Sequence, residues 1–268
     1  MTATVRANAR PPKPRPSLAI PVGAAVFLGI TWLAFSEQFG IGFDLGAIIE
    51  DITRGAGILG ELLRPNWTFI PRTVDPIVET FQIAIIGAVV GCAIALPVSF
   101  LASRVTTPNR GVFVADRSIL SVVRAIPDIL WALLLVAAVG IGALPGILAL
   151  VIFNVGVVAK LLSETVDGVD QGPIEAARAT GGNRIQTIRW AVLPQVLPNY
   201  VAYSLYAFEL NVRASAVLGI VGAGGIGNTL FTQYRFFNWS NVSVIVVELF
   251  VLVFFIELLS IWLRRRLV

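Results

Sequence analysis

The feature that most constrains this chain is a series of apolar runs that are long enough to cross a lipid bilayer. Residues 18–36 and 80–103 contain no charged residue at all. A transmembrane helix needs about 20 consecutive, mostly apolar residues. Only 13% of the 268 residues are charged and 56% are hydrophobic, whereas soluble domains are about a quarter charged. We therefore expect the bilayer to be the solvent for most of the surface.

Four further apolar stretches complete six predicted transmembrane helices in an all-α, polytopic membrane protein. They cover roughly residues 118–141, 142–163, 194–218 and 242–263. The first span is 18–36, and residues 76–263 form a core that contains the other five. Gly142 to Gly146 separates the third span from the fourth, because glycine and proline interrupt a helix.

The basic residues predict the orientation of these spans, because cytoplasmic segments are enriched in Lys and Arg. With both termini in the cytoplasm, most basic residues fall on the inside, in four groups: Arg6, Arg10, Lys13 and Arg15; Arg104, Arg110 and Arg117; Lys160, Arg178, Arg184 and Arg189; Arg264, Arg265 and Arg266. Only Arg54, Arg64, Arg72 and Arg235 fall outside. The chain is thus predicted to be a multi-pass protein of the cell membrane.

Two segments flank the first span. Residues 1–17 are rich in proline and arginine and are predicted to be a disordered cytoplasmic tail. Residues 37–75 form the longest predicted external loop. Apolar residues recur there at helical spacing with acids between them, as at Leu45, Ile48, Ile49 and Ile52. This pattern predicts one or two short interfacial helices.

The rare residue types limit the chemistry. The chain has no histidine, and its single cysteine, Cys92, lies inside an apolar run. We therefore predict no metal site and no disulfide. The net charge of +4 is concentrated at the ends of spans, which indicates membrane orientation and not binding of nucleic acid.

A glycine-rich segment after the fifth span matches the dinucleotide-binding fingerprint by letter. Its glycines are Gly222, Gly224, Gly225 and Gly227. That fingerprint requires a strand before it and a helix after it within a βαβ unit. The flanks here are transmembrane segments, so we interpret the glycines as an external gate loop that turns tightly where the span ends.

The longest cytoplasmic loop, residues 167–193, carries the functional signal. Pro173 is suited to the first turn of a helix, and Glu175 would follow in that first turn, where its charge favours the helix dipole. Ala176 and Ala177 offer a small surface that another protein can approach closely, and Gly181 would end the helix.

This loop resembles the coupling motif of permeases of ATP-binding-cassette importers, which has the form E-A-A-x3-G-x9-I-x-L-P. Glu175-Ala176-Ala177, Gly181 and Leu193-Pro194 match that motif, and Ala191 stands where isoleucine is usual. The resemblance implies a type I importer permease fold and a loop that docks on a cytoplasmic ATPase. It also implies that ATP and Mg²⁺ bind to the ATPase, with no cofactor on this chain.

Two further segments narrow the resemblance to the permeases that carry phosphonate. They run from Arg124 to Leu134 and from Glu209 through Gly227. The resemblance implies a substrate that is a phosphonate, phosphate or related phosphorus oxyanion. It also implies three kinds of partner: a second copy of this chain, two ATPase subunits and an external substrate-binding protein. Importers of amino acids such as methionine share the general plan and remain the alternative.

Charged and polar residues within the spans are candidates for the translocation pathway. Arg213 lies in the fifth span, and its guanidinium matches an oxyanion in geometry; the residues grouped with it are Glu209, Asn211, Ser215 and Glu248. By helix rise, Glu248 in the sixth span is predicted to meet Arg213. Arg124 and Asp128 are four residues apart, so we expect them to pair on one helical face.

An intramembrane enzyme and a secondary transporter are the alternatives to a transport subunit of an ATP-driven importer. An intramembrane enzyme could use Asp128, Glu209, Glu248 or Glu257, but no two of these carboxylates share a helical face at short spacing. A secondary transporter would use such acids but needs no coupling loop. The chain has no Walker phosphate loop, so ATP must be hydrolysed on a partner subunit.

Overall fold

The computed structural model describes residues 19–36, 46 and 52–267. Every regular element in this part of the chain is a helix, which confirms the prediction of an all-α protein. The chain divides after Gly57 into two units. The predicted tail at 1–17 and most of the predicted external loop before Ile52 lie outside the described residues.

The first unit contains helix α1, Ala19–Phe35, within the first predicted span. Its 17 residues are apolar along their whole length. Large side chains such as Ile20, Phe27 and Trp32 are exposed. That exposure is compatible with a lipid environment, because lipid tails are as apolar as these side chains.

Helix α2 (Ile52–Leu62) begins in the first unit and ends in the second, and Trp67–Arg72 then form a 3₁₀ helix. These two short helices fall within the predicted loop 37–75. The remaining α-helices are α3 (Val74–Leu101), α4 (Arg110–Ala125), α5 (Asp128–Val139), α6 (Ala143–Asp167), α7 (Gln171–Ala179), α8 (Arg184–Thr187), α9 (Leu193–Leu218), α10 (Ile226–Arg235) and α11 (Trp239–Leu267).

Four of the six predicted spans correspond to long helices, the first coincides only with the shorter helix α1, and the third is broken. Helices α3, α6, α9 and α11 are long and apolar enough to cross a membrane. The third span, predicted over 118–141, is instead divided into α4 and α5, which meet at an angle of 87°. The break falls at Pro127, because proline disfavours helical backbone in the residue before it, and Ile126 is extended at φ −92° and ψ 120°.

The core of the second unit lies where α3, α6 and α9 meet. It is built from buried apolar side chains, among them Ile83, Leu150 and Leu218. Two fully buried asparagines also bind α3: Asn154 of α6 donates to Gly87 O at 3.0 Å, and Asn211 of α9 donates to Ala84 O at 3.1 Å. Such interhelical hydrogen bonds fix helix packing in a bilayer, where water offers no competing partner.

Candidate functional site: the coupling loop and the charges within the spans

Helix α7 carries the predicted docking motif. It begins at Gln171, two residues before the predicted start at Pro173, so the prediction that Glu175 lies in the first turn is wrong. The reason is a side-chain cap: Asp170 Oδ1 accepts a hydrogen bond from Gly172 N at 3.0 Å. An aspartate at this position satisfies one of the free N–H groups at the helix start. Asp170 and Pro173 therefore both favour a helix at the loop's beginning.

The end of α7 is fixed by glycine, as the sequence predicts. Gly181 has φ +79°, a conformation that glycine adopts with little strain. Gly181 N donates to Arg178 O, and Gly182 N donates to Ala177 O. The next helix, α8, begins with a reciprocal cap between Asn183 and Gln186. The turn between the two short helices is therefore held by backbone hydrogen bonds at one end and by a side-chain cap at the other.

The face of the loop that carries Glu175 and Ala176 is exposed, whereas Ile174 is buried in the core. A groove of about 670 Å³ runs between α7 and the segment that follows, and it is lined by Ala176, Ala177, Thr180, Gly181, Gly182, Gln186 and Trp190. An exposed groove with small and apolar walls is typical of a protein-binding surface.

Two exposed apolar residues, Trp190 in the wall of the groove and Ile185 next to Gln186 in the chain, extend the surface beyond the predicted motif. Trp190 is 69% exposed and Ile185 is 77% exposed. Tryptophan is enriched at the centres of protein interfaces. The signal was available in the sequence, since both are large apolar residues in a loop that is predicted to lie outside the bilayer.

The remaining motif positions anchor the loop to the spans. Ala191, the position that departs from the motif, is buried with Ile174 and Val192 in one apolar cluster. Leu193 and Pro194 begin α9 directly after a π-helical turn, Ile188–Val192. An irregular π turn inside a helix is frequently found at functional sites.

An ion-pair cluster joins three helices next to the coupling loop. Asp167, the last residue of α6, accepts hydrogen bonds from Ser103 Oγ (2.7 Å), Arg104 N (2.7 Å) and Arg117 Nη2 (2.8 Å). Arg117 Nε also donates to Ala102 O at 2.9 Å. The cluster therefore ties the ends of α3 and α6 to α4. Sequence reasoning missed it, because its members are distant along the chain.

We expect Asp167→Asn to destabilise the permease more than a matched change nearby. A hydrogen bond to a charged group contributes about 1.5–3 kcal/mol, and Asp167 is only 24% exposed. The control is Glu164→Gln, which removes a pair with Lys160 whose glutamate is 56% exposed and which is worth about 0.3–0.5 kcal/mol. Thermal unfolding in detergent measures both, and equal midpoints would show that the cluster is not structural.

A second charged cluster lies within the spans themselves. Glu209 of α9 is 8% exposed, and its carboxylate accepts from Arg213 Nη2 at 2.7 Å and from Arg264 Nη2 at 3.1 Å. Arg213 Nη2 also lies 3.5 Å from Glu257 Oε2 of α11. The predicted proximity of Glu209 and Arg213 is thus observed, and Glu257 and Arg264 join them.

The predicted meeting of Glu248 with Arg213 is wrong. Glu248 instead accepts a hydrogen bond from Thr73 Oγ1 at 2.8 Å, at the start of α3. The prediction assumed that α9 and α11 reach the membrane surface at equal depth. In the structure α11 is displaced along α9, so that Glu257, more than two turns further on, lies beside Arg213.

The predicted pair of Arg124 with Asp128 is also wrong, because the break at Pro127 places them on different helices. Asp128 begins α5, and its Oδ1 accepts from Ile129 N at 2.9 Å. The side chain of Arg124 is exposed and runs over Gly156 of α6. Their part in the pathway stays a prediction.

Asn211 and Ser215 face α3 and not the charged cluster. Both are buried, with Asn211 bound to Ala84 O, while Ser215 donates to Val212 O at 3.1 Å. In this conformation their donors serve helix packing and are closed to a substrate. Their contact with an anion therefore stays a prediction that requires α9 to move away from α3.

The predicted gate loop is tightly seated on the starts of α3 and α6. Thr80 Oγ1 accepts from Ile226 N at 2.7 Å, and Gly222 O accepts from Gly142 N at 3.0 Å. Gly222, Gly224 and Gly225 all have positive φ. At Gly227, an added Cβ would lie 1.9 Å from Ala216 O, so no larger residue fits. Its function as a gate stays a prediction.

Comparison of the sequence with known proteins identifies the family of this chain. Residues 95–268 match the model of the binding-protein-dependent transport system inner membrane component family. The chain is 40% identical over 223 residues to the phosphate-import permease protein PhnE of Mycolicibacterium smegmatis, which covers 83% of this chain but only 42% of that protein. It is 36% identical to the phosphite transport system permease protein PtxC of Stutzerimonas stutzeri, over 83% of this chain and 81% of that one.

The fold is similar to that of a solved transporter. The structure of the inward-facing MetNI methionine ABC transporter superposes with a TM-score of 0.68 at 24% identity, and the match covers 76% of this chain and 99% of that one. This likeness supports the type I importer permease fold predicted from the coupling motif. The chain therefore belongs to the family of inner membrane components of binding-protein-dependent transport systems, as the permease subunit of an ATP-binding-cassette importer.

Proposed function

We propose that this chain forms the membrane pathway for phosphonate, phosphate or a related phosphorus oxyanion that an external binding protein delivers. The observation that carries the proposal is the identity shared with permeases named for phosphate and phosphite, the second of which is matched over 81% of its length. The methionine transporter is similar in fold at 24% identity, and amino acids are therefore the second candidate substrate.

The cluster around Arg213 supports an anionic substrate. Both ion pairs of Arg213 are made by Nη2, and among the described residues no partner is bound by its Nε or Nη1. The side chain is 46% exposed. Its remaining donors can therefore meet an oxyanion in the planar geometry that guanidinium favours. The nearby carboxylates would keep binding weak enough for release.

The exposed charges also support a pathway between two copies of the chain. Glu257 is 47% exposed and Arg213 is 46% exposed, and both lie in helices that span the membrane. A charge that faces lipid at the bilayer centre costs about 2.5–3.5 kcal/mol on insertion scales. A second copy, or water enclosed by it, would remove that cost. In this arrangement α7 and both termini lie in the cytoplasm, where two ATPase subunits bind.

The test is uptake into vesicles that contain the permease with its cognate ATPase and are supplied with the cognate binding protein. We expect ATP-dependent uptake of phosphate, phosphite or methylphosphonate, and none of methionine. The mass of the detergent-solubilised complex should correspond to two permeases and two ATPases. Vesicles that lack the binding protein are the control, because leakage would persist in them.

Two results would contradict different parts of the proposal. Uptake of methionine without any phosphorus oxyanion would overturn the substrate and leave the permease assignment intact. A complex with a single permease copy would overturn the pathway between two copies and leave the substrate untouched.

A further inference from the structure

A pocket with a basic rim lies where α3 ends and α4 begins. Its volume is about 430 Å³, and it is lined by Arg104, Thr107, Arg110, Phe113 and Val114. We call it the basic pocket. It lies away from the charged cluster around Arg213 and takes no part in the proposed pathway.

In the described part of the chain, no carboxylate forms an ion pair with the guanidinium groups of the basic pocket, although Asp167 accepts a hydrogen bond from the backbone N–H of Arg104 at 2.7 Å. Arg104 and Arg110 are exposed, and no described carboxylate lies within 4 Å of either guanidinium. Arg117 nearby differs, since it pairs with Asp167 at 2.8 Å. Thr107 Oγ1 is buried and lacks a hydrogen-bond partner among the described residues. The pocket thus offers two cationic guanidinium groups, and a buried hydroxyl without a partner lies in its wall.

The surroundings of the basic pocket are those of a membrane boundary. The apolar helix α3 ends at Leu101, which is 41% exposed, and α4 presents Val114 and Val122, which are 59% and 61% exposed. Arginines at the end of an apolar span lie at the level of the lipid headgroups. A ligand in the pocket would therefore have its charged end beside the arginines and apolar protein surface next to it.

The basic pocket lies at the end of the molecule that carries the coupling loop. Val105, which follows Arg104, packs on the cluster that contains Ile174 of α7. Thr107 also lines the neighbouring cavity, whose other walls include Ile174, Arg178 and Arg184. A ligand in the basic pocket would thus stabilise the segment against which α7 packs.

We propose that the basic pocket binds the phosphate group of an anionic phospholipid on the coupling-loop side of the membrane. Arginine pairs with phosphate through two parallel hydrogen bonds, and basic pockets between spans are known to take anionic headgroups. A free phosphate ion has the same chemistry at its oxygens. The exposed apolar surface of Leu101 and Val114 favours the lipid, because only a lipid has acyl chains to cover it.

The test uses nanodiscs made of equal parts of phosphatidylglycerol and phosphatidylcholine, and native mass spectrometry of the lipids that remain bound. We expect the wild type to retain phosphatidylglycerol preferentially. Arg104→Gln/Arg110→Gln should reduce that preference by about tenfold or more, because each basic residue near the membrane surface strengthens the attraction to anionic lipid. Arg104→Lys/Arg110→Lys keeps the charge and should retain most of the preference for phosphatidylglycerol. This variant still tests the proposal if the glutamine variant fails to fold.

The matched control is Arg72→Gln/Arg235→Gln. These two arginines are exposed, each lies over an aromatic ring as Arg104 does, and neither lines the basic pocket. We expect the control to retain lipid like the wild type. Equal retention in all variants would overturn the proposal. So would binding of inorganic phosphate in calorimetry that Arg104→Gln/Arg110→Gln abolishes while the lipid ratio stays unchanged. The lipid-retention readout does not depend on the transported substrate, so its failure is distinguishable from a failure of the proposed function.

Discussion

Replacing Glu175 by lysine is expected to abolish uptake while the permease remains folded in the membrane. Glu175 is exposed on α7 and makes no ion pair within the described part of the chain. No ion pair among the described residues is therefore lost when the charge is reversed, and surface substitutions of this kind change stability by at most about 0.5 kcal/mol. Any loss of uptake must arise at the surface that receives the loop.

Gly181→Asp tests the same surface by adding a side chain. A Cβ at Gly181 would meet nothing within 4 Å, so the added group clashes with no part of this chain. The positive φ of Gly181 disfavours most residues, but aspartate and asparagine tolerate it best. We expect Gly181→Asp to abolish uptake, and Gly181→Asn to separate the effect of the charge from that of the added bulk.

Copurification of the ATPase and uptake are measured together for these variants. Glu61→Lys is the matched control, because it reverses the charge of another exposed glutamate, on helix α2 and outside the coupling loop. We expect Glu175→Lys to lose more than about 90% of uptake, equivalent to at least 1.4 kcal/mol of coupling. Wild-type uptake and unchanged ATPase copurification in both Glu175→Lys and Gly181→Asp would sink the docking assignment.

The parts of the fold that depend on local sequence could be predicted. Apolar runs of sufficient length specify α3 and α6, because the bilayer accepts only helices that satisfy their own backbone hydrogen bonds. The end of α7 at Gly181 followed from the ease with which glycine adopts positive φ. Pro127 was a local signal for the break between α4 and α5. The break was not predicted, because the span over 118–141 was assigned from the length of its apolar run alone.

The parts of the site that depend on how helices lie beside one another could not be predicted. The partner of Arg213 on α11 is Glu257 and not Glu248. The reason is that α11 is displaced along the axis of α9, and the residue pattern of a single helix carries no information on such a displacement. Asp167 likewise binds groups from Ser103 and Arg117, which become neighbours only after three helices pack. Pairing within one helix, as between Glu209 and Arg213, follows from spacing and was predicted.

Arg213 gives the second large effect, and its neighbours make the test selective. We expect Arg213→Gln to reduce uptake by about tenfold or more, because both the charge and the planar fork are lost. Arg213→Lys keeps the charge and should give an intermediate rate. Glu209 is 8% exposed and binds two guanidinium groups, so its carboxylate holds the cluster together. We therefore expect Glu209→Gln to lower the thermal midpoint, with a smaller effect on the uptake rate per folded molecule.

The measurement is the initial rate of oxyanion uptake per assembled complex, with ATPase copurification and thermal midpoint recorded for each variant. Arg235→Gln is the control, since Arg235 is an exposed arginine at the end of α10 and should transport at the wild-type rate. A loss of uptake in Arg213→Gln at unchanged assembly and stability assigns Arg213 to the pathway, because an anchor would lower the midpoint as well. If Arg213→Lys and Arg213→Gln both assemble and transport at the wild-type rate, the guanidinium only fixes α9 against α11 and takes no part in conducting the anion.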